Sequence, residues 1–374
     1  MSKIRICHVS CVHFTYDVRI FQKECKSLVR EGYDVHLVIS GKNEKKDGVI
    51  IHGIGEIPKG RMQRMLFHTR RAFREACKVD ADIYHFHDPE LLPYALKMKR
   101  RGKKVIFDSH ENVLDIFADK RYIWKPIRSI LEPAYRYYMG DCLKKMDLVI
   151  TVDAMIKEKI QKYNQDVVLV SNYPEIKMDR GDIQNPLGQE HGAYICFAGG
   201  ITSQWNHEIV MRAAYRAGVK YVMCGKGSEE YIKLLKQCRE WENVVYCGMV
   251  SHEEVICLLE DAIAGVAVLD YSNNTNWKRG TLGNTKLFEI MVSGIPVICT
   301  AFSSWEKIIS DYECGICLEP KDEDALTEAI CYMIENRGEA KEMGVRGCTA
   351  VKSHYNWNVE ERKLLDAYRK LEEK

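Results

Sequence analysis

The chain has 374 residues, 46% apolar and 29% charged, which suits two packed globular domains and excludes fibrous or low-complexity classes. Its longest nearly unbroken apolar run, Ile290 to Phe302, is interrupted by Ser293 and Gly294 and falls short of the ~20 residues a membrane span needs. The formal charge of +2 conceals an asymmetry: residues 1–186 hold 34 Lys+Arg against 25 Asp+Glu, and the remainder 21 against 28, so the two halves are expected to meet different partners.

Short β-branched runs alternate with segments of helical period from end to end. The expected strands of the front half are Ile4–Val9, Val35–Ile39, Ile83–His87, Val105–Asp108, Leu148–Val152 and Val167–Val170. Between the first two, Val18, Phe21, Cys25 and Leu28 mark one helix face, and Gly32 supplies its stop. Tyr173 to Gly192 breaks the pattern with two prolines, three glycines and no period, and reads as a linker. The back half resumes with Tyr194–Ala198, Tyr221–Cys224, Val244–Cys247, Ala264–Leu269, Pro296–Cys299 and Gly315–Leu318. Trp357, Leu364, Tyr368 and Leu371 form a last helical stripe.

Repeated strand–helix–strand units require parallel sheets, because a parallel crossover needs a helix. The expected fold class is therefore α/β: two doubly wound Rossmann-like domains facing a central cleft. The expected divisions are a front domain 1–172, linker 173–192, back domain 193–354, and a terminal helix 355–374 packing back across the domains. Ligands of doubly wound sheets sit where loops leave the strand ends, so the residues after each strand are the ones to inspect.

Several features read as ordinary packing. The fifteen cysteines are scattered through apolar stretches, and one CxxC, Cys314 to Cys317, lacks the second pair a zinc site wants. Asp80-Ala-Asp82 precedes a strand and reads as a solvated turn. No other grouping of Asp, Glu or His has metal-ligand spacing, so no metal is expected. No apolar leader follows Lys3 and Arg5, and the expected location is the cytoplasm.

In the back half, Tyr194–Ala198 runs into Gly199-Gly200, and Tyr221–Cys224 into Gly225-Lys226-Gly227. Glycines there let backbone N–H groups approach an anion, although a tight turn explains a Gly-Gly pair equally well. Ser251 to Glu254 is a capping box following Gly248-Met249. The richest stretch is Trp277 to Thr300, where a glycine loop (Gly280, Gly283) enters a helix carrying Lys286 and Glu289 and closes with Gly294-Ile-Pro296. Amides at such a helix start can hold a diphosphate, Lys286 adds a point charge, and Glu289 can accept from vicinal ribose hydroxyls. A solvated helix face is the competing reading of those two charges.

The segment Gly283-Asn284-Thr285-Lys286-Leu-Phe-Glu289 with its following Gly-x-Pro resembles the donor-binding segment of GT-B glycosyltransferases of family 4. The resemblance runs along almost the whole chain. Asp17-Val-Arg19-Ile-Phe-Gln-Lys-Glu24 is similar to the first unit of bacterial capsule and exopolysaccharide members, His85-Phe-His87-Asp88 to their His-x-His-Asp loop, and Asp108-Ser-His110-Glu111 to their Asp-x-His-Glu segment. It implies a nucleotide-diphosphate sugar as donor substrate, no cofactor, and transfer with retention, the leaving phosphate taking the acceptor proton. It also implies a base contact near Met249, ribose on Glu289, and diphosphate on Gly199, Gly200 and the Gly283–Lys286 turn. His87 would reach the transferred sugar, with Asp17, Arg19, His110 and Glu111 on the opposite wall. Two departures stand out. The first glutamate of the family's paired-glutamate motif falls on Thr281, and no basic residue follows Gly200, leaving Lys226, Lys278, Arg279 or Lys286 to supply the cation.

Lys59 to Lys78 holds seven Lys/Arg and one acid, with Met62, Met65, Leu66, Phe73 and Cys77 at helical spacing, and Lys120 to Arg136 with Tyr122, Trp124 and Tyr135 reads similarly. Both suit an anionic membrane surface on the inner face of the cell membrane and a lipid-linked saccharide acceptor, or alternatively helices covering a sheet. Nothing resembles a nucleic-acid module. The expected function is a glycosyltransferase of surface polysaccharide biosynthesis. The alternatives are a sugar-nucleotide 2-epimerase of the same fold or a non-catalytic nucleotide-sugar-binding scaffold.

Overall fold

A computed structural model describes residues 3–115, 124–176, 185–188, 192–272 and 275–373. The chain forms two compact units, residues 1–172 together with 357–374, and residues 173–356.

The first unit holds an eight-stranded sheet: β1 (Arg5–Phe14), β2 (Asp34–Ser40), β3 (Glu44–Lys46), β4 (Val49–Gly53), β5 (Ile83–Phe86), β6 (Lys104–Ser109), β7 (Leu148–Thr151) and β8 (Val167–Leu169). Their order is β3-β4-β2-β1-β5-β6-β7-β8. All pairings are parallel except β3 with β4. The order reverses between β1 and β5, so the loops leaving those two strands diverge and open a crevice at the sheet's carboxyl edge. Six of the eight strands correspond to expected runs. The β3–β4 hairpin does not, because its three exposed residues Glu44–Lys46 carry no apolar signal.

The second unit holds six parallel strands: β9 (Tyr194–Ala198), β10 (Lys220–Cys224), β11 (Val244–Gly248), β12 (Ala264–Ala267), β13 (Val297–Thr300) and β14 (Gly315–Leu318). They lie in the order β11-β10-β9-β12-β13-β14, with the reversal between β9 and β12.

Apolar side chains fill both faces of each sheet, as parallel sheets require. One face of the first sheet is covered by Phe21, Cys25 and Leu28 and by the last helix, Trp357–Glu373, through Trp357, Leu364, Tyr368 and Leu371. That helix therefore belongs to the first unit. It is fixed there by Trp357 Nε1 donating to Ser27 Oγ at 3.0 Å, Ser171 N donating to Glu360 Oε2 at 2.8 Å, and an Arg30–Glu361 ion pair at 2.6 Å. Val18, an expected member of the Phe21 stripe, is exposed. Residues Val18–Cys25 are wound wider than an α-helix, with Gln22 N reaching Asp17 O five residues back at 3.1 Å, and this turns Val18 outward. The linker expected at 173–192 falls in the second unit, and its residues 177–184 and 189–191 lie outside the described residues. Asn185 anchors it by donating to Asp261 Oδ2 at 2.7 Å.

Candidate active site

Each unit carries one candidate site at the end of its sheet where the strand order reverses. In the first unit, β1 and β5 run side by side with His8 opposite His85. His85 on β5 and His87 just past its end, two residues apart, fall on one side of the chain. The same wide helical turn that moves Val18 lets Arg19 and Glu24, five apart, meet at 3.0 Å between Nε and Oε1. Asp108, at the end of β6, receives Arg19 through two bonds, Nε to Oδ2 at 2.9 Å and Nη2 to Oδ1 at 3.1 Å, while Nη1 is spent on the Val170 carbonyl at 2.9 Å.

A chain of rings runs through this centre. His110 Nε2 lies 3.1 Å from Asp108 Oδ2 and 3.2 Å from His87 Nδ1. His87 Nε2 lies 2.9 Å from His8 Nδ1, and Tyr368 Oη on the last helix is shared between His85 Nδ1 at 2.7 Å and His8 Nε2 at 3.3 Å. His8, Glu24, His85 and Asp108 have no exposed surface, and His87 almost none, so electrostatics here are set by a dry interior. Burial works against the charge of Asp108, yet Arg19, and after it His110, hold its carboxyl well below the usual range. Burial raises Glu24 well above its usual value, with Arg19 opposing, and drives His8 and His85 far down. It brings His87 to about 4, with Asp108 opposing. Nearer the surface, Asp88 accepts from Cys11 N at 2.6 Å and Ser10 Oγ at 3.0 Å, and faces His13 Nδ1 at 3.3 Å. Burial disfavours the imidazolium of His13, but Asp88 outweighs it and raises the group.

Arg19, His87 and His110 are thus brought together. Asp17 is not among them. It caps the helix, accepting from Arg19 N and Ile20 N at 2.9 Å each. Glu111 lies exposed, and its carbonyl accepts from Ser109 Oγ at 2.8 Å. Sequence reading overlooked His8, Glu24 and Tyr368. His8 and Tyr368 sit inside apolar stripes. Their signal was a polar residue on a buried face, which normally has to find a partner there. The absence of metal-ligand spacing in the sequence does not carry over to space, since His8, Glu24, His85 and His87 converge from two strands and a helix.

In the second unit, Gly199 and Gly225 leave β9 and β10 with φ of +148° and +131°. A Cβ on Gly225 would fall 1.8 Å from the Gly199 carbonyl oxygen, so the two loops touch backbone to backbone. Gly225 N is tied in turn to Gly248 O at 2.7 Å, drawing in the loop where Met249 stands exposed. Lys286 lies directly on Gly199, where a Cβ would meet its Cε at 2.2 Å, and its Nζ sits 4.8 Å from the Trp205 ring centroid. Among the described residues no carboxylate lies within ion-pair distance of it. Burial lowers the Lys286 pKa, with Glu289 opposing.

Asn284 Oδ1 accepts from Lys286 N at 3.2 Å, and Thr281 Oγ1 from Gly283 N at 3.0 Å, shaping the turn that includes Thr285 before helix Lys286–Val292. A Cβ on Gly200 would meet nothing within 4 Å. Lys226 and Arg279 are exposed, and Lys278 is engaged by Glu319 at 2.8 Å, which leaves Lys286 as the cation over the glycines. Glu289 lies one turn along and faces a small cavity of about 70 Å³ that it shares with His252, Val255 and Leu259.

Residues 18–173 match the family model described as Glycosyltransferase Family 4, and residues 179–348 the model described as Glycosyl transferases group 1. The chain carries the two domains of a GT-B glycosyltransferase. Solved structures share its fold. Sucrose-phosphate synthase from Thermosynechococcus elongatus superposes with a TM-score of 0.75 at 15% identity, covering 99% of each chain. Anabaena Alr3699/HepE in complex with UDP and glucose gives 0.70 at 10% identity, covering 98% of this chain and 100% of that one. WaaG, a glycosyltransferase involved in lipopolysaccharide biosynthesis, gives 0.68 at 12% identity, covering 96% and 98%. No curated protein matches the glycosyltransferase significantly.

Two basic stretches complete the first unit of this glycosyltransferase. Phe73 and Cys77 turn inward, Phe73 stacking on Tyr94 at 4.8 Å, so that part of the stripe covers the sheet. Met62 and Phe67 are 73% and 70% exposed beside exposed Arg70, Arg71 and Arg74. In helix Lys125–Lys144 the exposed apolar residues include Ile127 and Ile130, with Trp124 just before it, while Lys120 and Tyr122 lie outside the described residues. Among the described residues no helix is long and apolar enough to cross a membrane.

Proposed function

We propose that this glycosyltransferase transfers a hexosyl group from a uridine-diphosphate sugar to a lipid-linked saccharide acceptor, with retention, at an anionic membrane face during surface polysaccharide biosynthesis. The single observation that carries the donor half is Lys286 lying over Gly199 without an ion pair. A half-buried ammonium set on a glycine backbone is a ready counter-charge for a leaving diphosphate. The amides of Gly200, Asn284 and Thr285, which the hydrogen bonds shaping the Gly199 loop and the Gly283–Lys286 turn leave uncommitted, add donors, so the diphosphate needs no metal of its own. The UDP bound by HepE supports the choice of base. Glu289 takes the ribose, and the backbone near Met249 takes the base. On the acceptor side, His110 faces the substrate with His87 behind it. The exposed Met62–Phe67 segment and its arginines supply the membrane contact.

Calorimetric titration with UDP tests the donor half. We expect binding that persists in excess chelator and weakens at least ~10-fold in Lys286→Ala, the loss of one charge-assisted contact. Equal affinity in the variant, or binding abolished by chelator, would overturn this reading. We further expect His87→Ala to keep UDP affinity while losing transfer to acceptor.

A further inference from the structure

The histidine centre of the first unit contains more ligand atoms than a transfer site explains. One ring nitrogen each of His8, His85 and His87 and one oxygen of Glu24 all lie within 4.8 Å of one another. His8 Nδ1 and His87 Nε2 are 2.9 Å apart, and Glu24 Oε2 is 3.9 Å from the first and 4.0 Å from the second. A tetrahedral ion with bonds of ~2.0–2.1 Å places its ligands roughly 3.3 Å apart, a value these three separations bracket.

Two independent observations point to a cation. Glu24 Oε2 and His85 Nε2 have no hydrogen-bond partner although both are fully buried, and Glu24 Oε1 has only the ion pair with Arg19 at 3.0 Å. Unsatisfied polar atoms in a dry core cost free energy that a shared ligand would recover. Arg19 meets this need only in part: its Nε lies 3.0 Å from Glu24 Oε1 but also 2.9 Å from Asp108 Oδ2, and its other nitrogens go to Asp108 and the Val170 carbonyl. The second observation is the outer shell. Each of the three imidazoles uses its other nitrogen outward: His85 Nδ1 and His8 Nε2 on Tyr368 Oη at 2.7 and 3.3 Å, His87 Nδ1 on His110 at 3.2 Å with Asp108 Oδ2 at 3.6 Å. Ligating histidines are oriented in this way, one nitrogen on the metal and the other on a fixed partner.

We propose that His8, Glu24, His85 and His87 bind one divalent transition-metal ion of the zinc class. Three imidazoles and one carboxylate suit that class and suit magnesium or calcium poorly. With four protein ligands the shell is closed, so the ion ties β1, β5 and the Val18–Cys25 turn together and offers no open position to the donor. Coordination deprotonates Glu24 and fixes the tautomer of His87, and with it the direction of the bond to His110.

The test is elemental analysis of the purified full chain after incubation with zinc chloride and removal of excess, followed by replacement with cobalt. We expect one ion per chain, a visible cobalt absorption typical of tetrahedral sites, a higher melting midpoint with zinc, and loss of the stoichiometric ion in both Glu24→Gln and His85→Ala. A folded wild-type chain that retains no stoichiometric ion would overturn the proposal, and so would an ion retained in both variants. UDP titration of the same samples reports on the second unit alone. Its failure would count against the donor reading and leave the metal result standing.

Discussion

In the first unit, Asp108, Arg19, Glu24 and three histidines lie at almost zero exposure and hold one another in place. In the second, the candidate donor loops are glycine backbone with one half-buried ammonium laid across them. In the first arrangement Arg19 and Asp108 balance each other through two bonds, so removing one strands the other. The second is unbalanced, with Lys286 lacking a counter-charge that an anionic ligand would bring. Substitutions in the two places should therefore fail differently, through stability in one and through ligand affinity in the other.

The largest effect is expected at Arg19. Arg19→Met leaves Asp108 buried with only His110 and His87 beside it, and should cost about 3–5 kcal/mol in urea unfolding while UDP affinity is unchanged. A loss below about 1 kcal/mol would erase the contrast between the units. Next comes Gly199→Ala. The new Cβ collides with Lys286 at a backbone φ of +148°, so we expect a stability loss of about 1–3 kcal/mol and weakening of UDP binding matching Lys286→Ala. The double variant should lose no further affinity, and additive losses would show that the two residues act separately.

The smallest effect at neutral pH concerns His207, buried in the second unit with Nδ1 2.8 Å from Tyr221 Oη. Burial, then the charge of Lys286, lowers it to about 3. The unfolded chain takes up that proton near ~6.5, so stability should fall as pH drops from there toward 3, by up to ~1.4 kcal/mol per pH unit. His207→Gln should remove that contribution from the pH dependence of the urea midpoint, and an identical slope in both proteins would refute it.

Most of the architecture could be read along the chain, because a buried parallel strand announces itself as a short β-branched run. The Gly199-Gly200 turn and the Asn284–Glu289 helix start were legible for the same reason, as local patterns. The histidine centre was legible only in part. His87 and His110 follow strands and were visible as polar clusters, but the partners of His87 include His8, 79 residues away, and Tyr368 lies 283 residues from His85. Which strands neighbour one another, and in what register, decides such meetings, and no single segment encodes it. Asp17 was misread for the opposite reason. An acidic residue just before a helix satisfies backbone amides, and that local role needs no substrate.

The placement of helix Trp357–Glu373 bears on synthesis. Residues 173–356 are contiguous and can close as soon as they leave the ribosome, whereas the earlier-made half waits for the 17-residue helix Trp357–Glu373 before Trp357, Leu364 and Tyr368 fill its sheet face. The portion translated first is thus the portion finished last. A nascent chain stalled near residue 356 would expose an open apolar face to chaperones and proteases.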